Sequence, residues 1–542
     1  MTHSLPDHGR WGPSAASSQA GRRRAVGSIV LLAVLLACWL RASSLTAQSF
    51  WRDEVDALCY AFEFPHVVTQ ALTGSAATGP QPPCACPPLL SPLAAQAVGS
   101  PWQALAPIIG TMIRQNGPFY FFLLRGWIAL AGHSEYALRF FSLWFGVLGV
   151  PLTYVLGARL LGRTVGRIAA LLVATSPYLV WYGQEVKMYT LVPALALLAL
   201  YALRREVESG GWWWVVQVAA TSLAFYAHIW SALLVPVQVG FLLLWWPRWR
   251  PHWRGVLIGL ALLTLPYLPL AAWQVPAAFI QRETGFPRYT LGQMILVLIN
   301  GWGVGISGQG LPWAAVACAG AALVGGTAAA LSRRAWRTPV GVAGWLTLPL
   351  LGIWAISQWQ PLFTDRYLIW AAPGFYLLAG AGVVFLHRQS RWLGLALLAA
   401  ILAVFSTNLA AQAQQAIKSD LRAAAAQVEE AHHAGDLLIF QIPHSRYTFD
   451  YYFTPTAYNW AEGPYTNHRL SDGSYLTTEE TLATRMAQIT WGYDTVWLVA
   501  SEVGMWDERN LVQQWLEENG ERISAAHFVR VDVYGYRLTR SP

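Results

Sequence analysis

Two carboxylates stand side by side just past the first apolar segment of the chain, in Ser49-Phe50-Trp51-Arg52-Asp53-Glu54. Ionisable residues recur in similar places: Gln184-Glu185-Val186-Lys187, Arg282-Glu283 and Asp365-Arg366 fall mostly at the mouths of apolar runs. A positioned carboxylate can take a proton from an attacking hydroxyl, a role typically worth about 10²–10⁴-fold in rate. Asp53 and Glu185 could also share a divalent cation. Each group has a plainer reading. Asp53 and Glu54 could form a solvated loop with an aromatic anchor. Glu185 could cap a helix starting near Val186. Asp365 could simply pair with Arg366, and the cations could be snorkelling at an interface.

What must position these groups is a membrane. Of 542 residues, 55% are hydrophobic and only 12% charged, with a mean hydropathy of +0.37; about a quarter charged is usual for soluble domains. Apolar runs of about 20 residues, the length that crosses a bilayer, recur through the first three quarters. The net charge of +8 therefore reads as a loop-by-loop topology signal. No arginine-rich reading helix, zinc finger or aromatic RNA platform marks a nucleic-acid partner. The 29 tryptophans are chiefly interface anchors.

Residues 1–24 end in Arg22-Arg23-Arg24 and read as a disordered cytoplasmic tail. Residues 25–411 read as the transmembrane domain, opening with an uncleaved signal anchor from Gly27 to about Ala47. Within it, 48–135 form a first outer loop with a juxtamembrane helix. The proline-rich stretch 79–88 suits neither helix nor central strand, and 118–132 is too short to span. Cys59 could bridge to Cys84 or Cys86 in this loop, while Cys38 and Cys318 serve as small hydrophobes. The run 291–310 is interrupted by Asn300, Gly301, Gly303, Gly305 and Gly308 and reads as a flexible outer loop. With 118–132 and 290–310 both kept out of the spanning set, the groups around Arg159, Arg204, Arg248, Arg333 and Arg388 all fall on the cytoplasmic side. About eleven spans result, or thirteen if both segments cross, with the N-terminus in and the C-terminus out.

Composition changes after about Ala411. Residues 412–542 alternate a helix (420–434), strands (436–441, 495–499, 528–538) and further helices (near 479–487 and 511–518). The expected fold is a polytopic α-helical membrane protein carrying a small C-terminal extracytoplasmic α/β domain. No glycine-rich nucleotide-binding loop is present.

Trp51-Arg52-Asp53-Glu54 resembles the acidic first-loop motif of the C-type (GT-C) membrane glycosyltransferases. The closest likeness is to the bacterial branch related to protein O-mannosyltransferases and lipid A aminoarabinose transferases. The stretch 116–125, NGPFYFFLLR, resembles that branch's "PPLYFLLLR", with Gly117 in place of the first proline. Residues 181–189, WYGQEVKMY, resemble its "WYSQEARMY", with Lys187 for an arginine. Tyr226-Ala227-His228 is similar to "YTHYFG" and Asp365-Arg366-Tyr367 to "RYLLPALP". The likeness covers about residues 26–410, and the C-terminal part only loosely through Asp420-Leu421-Arg422-Ala423-Ala424.

The resemblance implies a sugar donor on a polyprenyl phosphate. It also implies a protein, lipid or envelope-glycan acceptor, and chemistry at the outer face of the cell (inner) membrane. Asp53 matches the family's catalytic aspartate and is assigned the base; Glu54 and Glu185 are further catalytic candidates. Gln184, Lys187, Tyr189, His228, Asp365 and Arg366 are candidates for substrate binding, with Lys187 and Arg366 on the lipid phosphate. If Asp53 and Glu54 lie on an extended segment, their side chains point apart. They then cannot form the facing pair, about 5 Å apart, of a retaining double displacement, so a single inverting displacement is expected. A divalent cation stays open. The rival is a transporter or flippase of a lipid-linked substrate, for which mid-membrane ionisable residues and inverted repeats are the usual marks. The spans here are almost free of acids, and Trp-Arg-Asp-Glu has no second copy.

Overall fold

The computed structural model describes residues 15–73, 86, 118–264, 286–307, 312–331, 336–455, 457–464, 466–470 and 472–539. Arg282, Glu283, Cys84, Cys318's side chain and most of 79–88 lie outside the described residues. The first helix, α1 (Ala15–Ala42), begins inside the stretch expected to be disordered. Among the described residues, five helices are long and apolar enough to cross a bilayer, or six when the bent pair Arg163–Thr175 and Pro177–Gly183 counts as one span. The protein is a multi-pass membrane protein. Other expected spans fall on shorter helices, such as Trp213–Ala227, or on undescribed residues. Between Arg248 and Arg254, where a basic loop was expected, the chain stays helical through the 3-10 turn Arg250–His252.

Packing in the bundle depends on small residues, because lipid offers no hydrophobic drive between helices. Pro312–Leu331 lies against Ala372–Gln389 so closely that a Cβ on Gly382 would strike the Ala321 carbonyl. The segments held back from spanning form short helices, Pro118–Ala131 (14 residues) and Leu291–Gly303 (13 residues). At 1.5 Å per residue each is about 20 Å long, short of the roughly 30 Å hydrocarbon core. The second corrects the expectation of a flexible loop: Thr290 and Gln293 build a capping box that nucleates it. Helix α2 (Arg52–Thr73) corrects the expectation of an extended acidic segment. Asp53 and Glu54 occupy its first turn, where carboxylates favour the positive end of the helix dipole. Cys59, on α2, is disulfide-bonded to Cys86.

The C-terminal unit is a five-stranded sheet of order β2-β1-β3-β5-β4, comprising β1 (Leu437–Phe440), β2 (Asn459–Glu462), β3 (Thr495–Ser501), β4 (Gly520–Phe528) and β5 (Val531–Leu538). β1 runs parallel to β2 and β3, and β5 runs antiparallel to β3 and β4. Alternate side chains feed two cores. Leu438, Phe440, Trp497 and Val499 pack beneath helix Leu421–Ala431, while Leu437, Ile439, Val496 and Leu498 pack with Leu482 and Leu516. Helices thus cover both faces, which is why the central strands read as unbroken apolar runs. The stretch 528–538, expected as one strand, is not continuous. It is the end of a hairpin instead, turned at Val529-Arg530 with Arg530 at φ 56°.

Candidate active site

The first outer loop and the linker to the C-terminal unit clamp each other. Gln48 donates from Nε2 to the carbonyls of Gln412 and Gln415, and its Oε1 accepts from the backbone N–H of Ile417 and Lys418. Ser49 Oγ donates to the Ser419 carbonyl at 2.6 Å. Glu135 ties the two units again, accepting from Arg422, Arg139 and the Tyr452 hydroxyl. Lys418 is thereby held over the first turn of α2.

Neighbouring residues on a helix diverge by about 100°, and Asp53 and Glu54 have opposite fates. Glu54 is buried and accepts from Arg139 Nε and Nη2, both at 2.9 Å, from Lys418 Nζ at 2.8 Å and from the Val186 N–H at 3.2 Å. The Arg139 contact is a two-pronged fork, the strongest form of ion pair. Burial pushes the Glu54 carboxyl up, but Arg139 and Lys418 outweigh it and hold the group down at about 2. Asp53 points the other way, to Arg366 Nη1 at 3.2 Å, and remains 28% exposed.

Glu185 reaches the site because the chain breaks behind it. Ser176 caps the helix that Pro177 opens, bending the pair by 56°. Residues 184–190 then form a turn, and Gln184 Nε2 fastens it to the Arg41 carbonyl and Ser44 Oγ. No helix starts at Val186; the next one begins at Leu191, so Glu185 caps nothing. Its Oε1 lies 3.2 Å from Lys418 Nζ, and its buried Oε2 has no partner among the described residues. Burial raises the Glu185 carboxyl above its ordinary value, with Lys418 opposing and Glu54 adding to the rise. Two carboxylates sharing one lysine are thus driven apart in acidity, the pattern that separates a fixed anion from a proton carrier.

Asp53, Glu185, Arg366 and Lys418 all line one cavity of about 640 Å³, between the membrane bundle and the C-terminal unit. Trp51, Trp181 and Tyr182 line it from the bundle. Arg366 lies over the Trp51 ring at 5.2 Å, and Lys418 over Trp51 and Trp181 at 5.5 and 5.2 Å, so aromatic faces steady both cations.

The other expected site residues do not line the cavity. Glu54 is a buried anchor, and Gln184 holds the turn. Lys187 is buried. Tyr189 and His228 sit in an aromatic cluster with Tyr182 and Tyr367. Asp365 accepts from Tyr182 and Thr364, while Arg366 pairs with Asp53 instead. Among the described residues no three His, Cys, Asp or Glu gather as metal ligands, and Asp53 and Glu185 each already face a cation.

Lys418 and Arg139 were not singled out from sequence. A signal for the first existed: of the 36 basic residues only Lys187 and Lys418 are lysines. Arg139 had none, being one arginine near the start of an apolar helix.

A bundle with a broken helix, capped by an α/β unit over a charged cavity, is similar in fold to solved membrane glycosyltransferases, in line with the family resemblance of the sequence. Residues 115–273 match the family described as dolichyl-phosphate-mannose-protein mannosyltransferase. ArnT from Cupriavidus metallidurans in the apo state is similar at TM-score 0.57 and 14% identity, over 94% of this chain and 98% of that one. The same protein bound to undecaprenyl phosphate gives 0.55 and 13%, over 93% and 97%. The oligosaccharyltransferase AglB from Archaeoglobus fulgidus, in complex with an inhibitory peptide and a dolichol-phosphate, gives 0.55 and 12%, over 96% and 75%. At these identities the likeness is one of fold. No curated protein matches the chain.

Proposed function

We propose that the protein is a glycosyltransferase that moves a sugar from a polyprenyl phosphate to an acceptor hydroxyl at the outer face of the cell membrane, by one inverting displacement. The observation that carries this is the meeting of Asp53 and Glu185 with Arg366 and Lys418 around one cavity. Its volume falls in the 300–1,000 Å³ range of small-molecule sites. The lipid phosphates named in the ArnT and AglB structures support the donor class.

In this reading the donor phosphate takes the place of Asp53 as partner of Arg366 and of Glu185 as a partner of Lys418, which keeps its bond to Glu54. Phosphate is already a good leaving group, so cations that hold the departing charge matter more than an acid. Freed from Arg366, Asp53 accepts the proton of the acceptor hydroxyl while that oxygen attacks the anomeric carbon. The bond from that carbon to the phosphate oxygen breaks, and polyprenyl phosphate leaves with the electron pair. Glu54 cannot serve as a second nucleophile, because four donors occupy its oxygens. Glu185 is the reserve base. Lys187 is buried and does not line the cavity, so Lys418, which does, is the lysine assigned to the phosphate.

The test is transfer from a purified polyprenyl-phosphate sugar to a native envelope fraction. Asp53→Asn should nearly abolish it with donor binding intact. Activity in all of Asp53→Asn, Glu54→Gln and Glu185→Gln would sink the mechanism, and movement of the lipid across the bilayer without sugar transfer would favour the transporter. The eleven-span topology predicts that a reporter fused after Ala411 is active only outside the cytoplasm.

A further inference from the structure

The cavity continues beyond the donor groups onto the C-terminal unit. A second hollow of about 420 Å³ is lined only by that unit, and it shares Glu502, Met505 and Arg530 with the first. Both Glu502 and Arg530 adopt the left-handed backbone conformation, at φ 48° and 56°, which disfavours side chains of their kind. Arg530 fills a hairpin turn position where Gly, Asn or Asp is the ordinary choice. The Glu502 N–H donates to the Arg530 carbonyl, so the two strained residues brace one another at the join of the hollows. Strain of this kind collects where side chains must be aimed at a ligand. Beside them His444 and Trp506 meet edge to face at 5.4 Å and both line the first cavity, with Thr448, whose buried Oγ1 has no partner among the described residues, on the same wall.

Resting on the transferase reading above, we infer that this continuous groove is the acceptor subsite and that its occupant is a glycan chain. An aromatic pair flanked by a carboxylate and a guanidinium matches a sugar, which presents apolar ring faces and hydroxyls that both donate and accept. A peptide docking as an added strand needs an open sheet edge. The edges here belong to β2 and β4, whereas the groove crosses the segment after β3 and the β4–β5 turn. The glycan hydroxyl at the cavity end gives its oxygen to the anomeric carbon and its proton to Asp53, and the rest of the chain lies along the groove.

The experiment uses full-length protein in liposomes, a polyprenyl-phosphate donor with labelled sugar, and a native envelope fraction. Arg530→Gly and Glu502→Gly remove the side chains while relieving the backbone, so folding is not put at risk. Each should raise the acceptor KM by about tenfold or more, as loss of a charge-assisted contact does, with the donor KM within about twofold. The labelled product should resist protease and be broken down by periodate. Unchanged acceptor KM in both variants, or label released as peptides, overturns the inference while leaving the transferase standing. Failure of the wild-type protein to cleave the donor at all would overturn the transferase reading and this inference with it.

Discussion

On the bundle side of the cavity Asp53 and Glu185 each lie 3.2 Å from a cation, Arg366 and Lys418, and both cations rest on tryptophan. On the side of the C-terminal unit, Met505 is 66% exposed and Arg530 projects from a strained turn. The first wall is a set of charges paired in advance; the second is open and mixes polar, charged and aromatic side chains. Fixed charges suit a chemical step whose charge always develops in the same place. Open, mixed polar and aromatic surface suits a partner that has to be recognised along its length.

That contrast can be broken in several ways, the strongest at Glu54. Glu54→Gln leaves Arg139 and Lys418 short of a buried anion, and loss of one partner of such a pair costs about 3–5 kcal/mol. Thermal unfolding in detergent should show it; near-wild-type stability would mean the bundle wall is not held by charge. The same carboxyl is held at about 2, below its ordinary 4.5. Its stabilisation is therefore full above about pH 4.5 and lost as pH falls toward 2. An acid titration of the wild-type protein should reveal a limb in that window that Glu54→Gln lacks.

Next comes Asp53→Asn, which keeps shape and removes the proton acceptor. Turnover should fall at least about a hundredfold with stability little changed, the reverse of the Glu54 result. Equal effects from both variants would erase the distinction drawn between these neighbours. Lys418→Ala and Arg366→Ala should then each weaken donor binding by about 1.5–3 kcal/mol, measured with polyprenyl phosphate alone. Because Lys187 is buried and does not line the cavity, Lys187→Met should disturb donor affinity less than either. Smallest is Gln184→Ala, which loosens the turn behind Glu185; a loss of about 1 kcal/mol in stability is expected, with donor affinity following only through Glu185's position.

Much of this was legible in the chain. A bilayer requires long apolar runs and tolerates few charges within them, so many span segments, the short helix after Gly117 and the acids past the first span leave a linear signature, whereas the helix Leu291–Gly303 was hidden by its glycines. The apolar strands Leu437–Phe440 and Thr495–Ser501 did so too, since helices cover both faces. The helical start of α2 was missed because two adjacent acids suit a loop and a first helical turn equally. β2 was missed because Asn459-Trp460-Ala461-Glu462 alternates weakly on a sheet edge.

Which charge answers which carboxylate was decided only in three dimensions. Lys418 meets Glu54 across 364 residues and Arg139 meets it across 85. A buried ion must be paired, but the partner is whatever the fold brings within about 4 Å, and neither periodicity nor spacing records that choice. The sequence by itself determined a membrane-embedded chain with carboxylates at the mouths of its helices. The tertiary structure alone decided that Asp53 faces the cavity while Glu54 is locked behind it, and that the linker after the last span supplies a cation to the site.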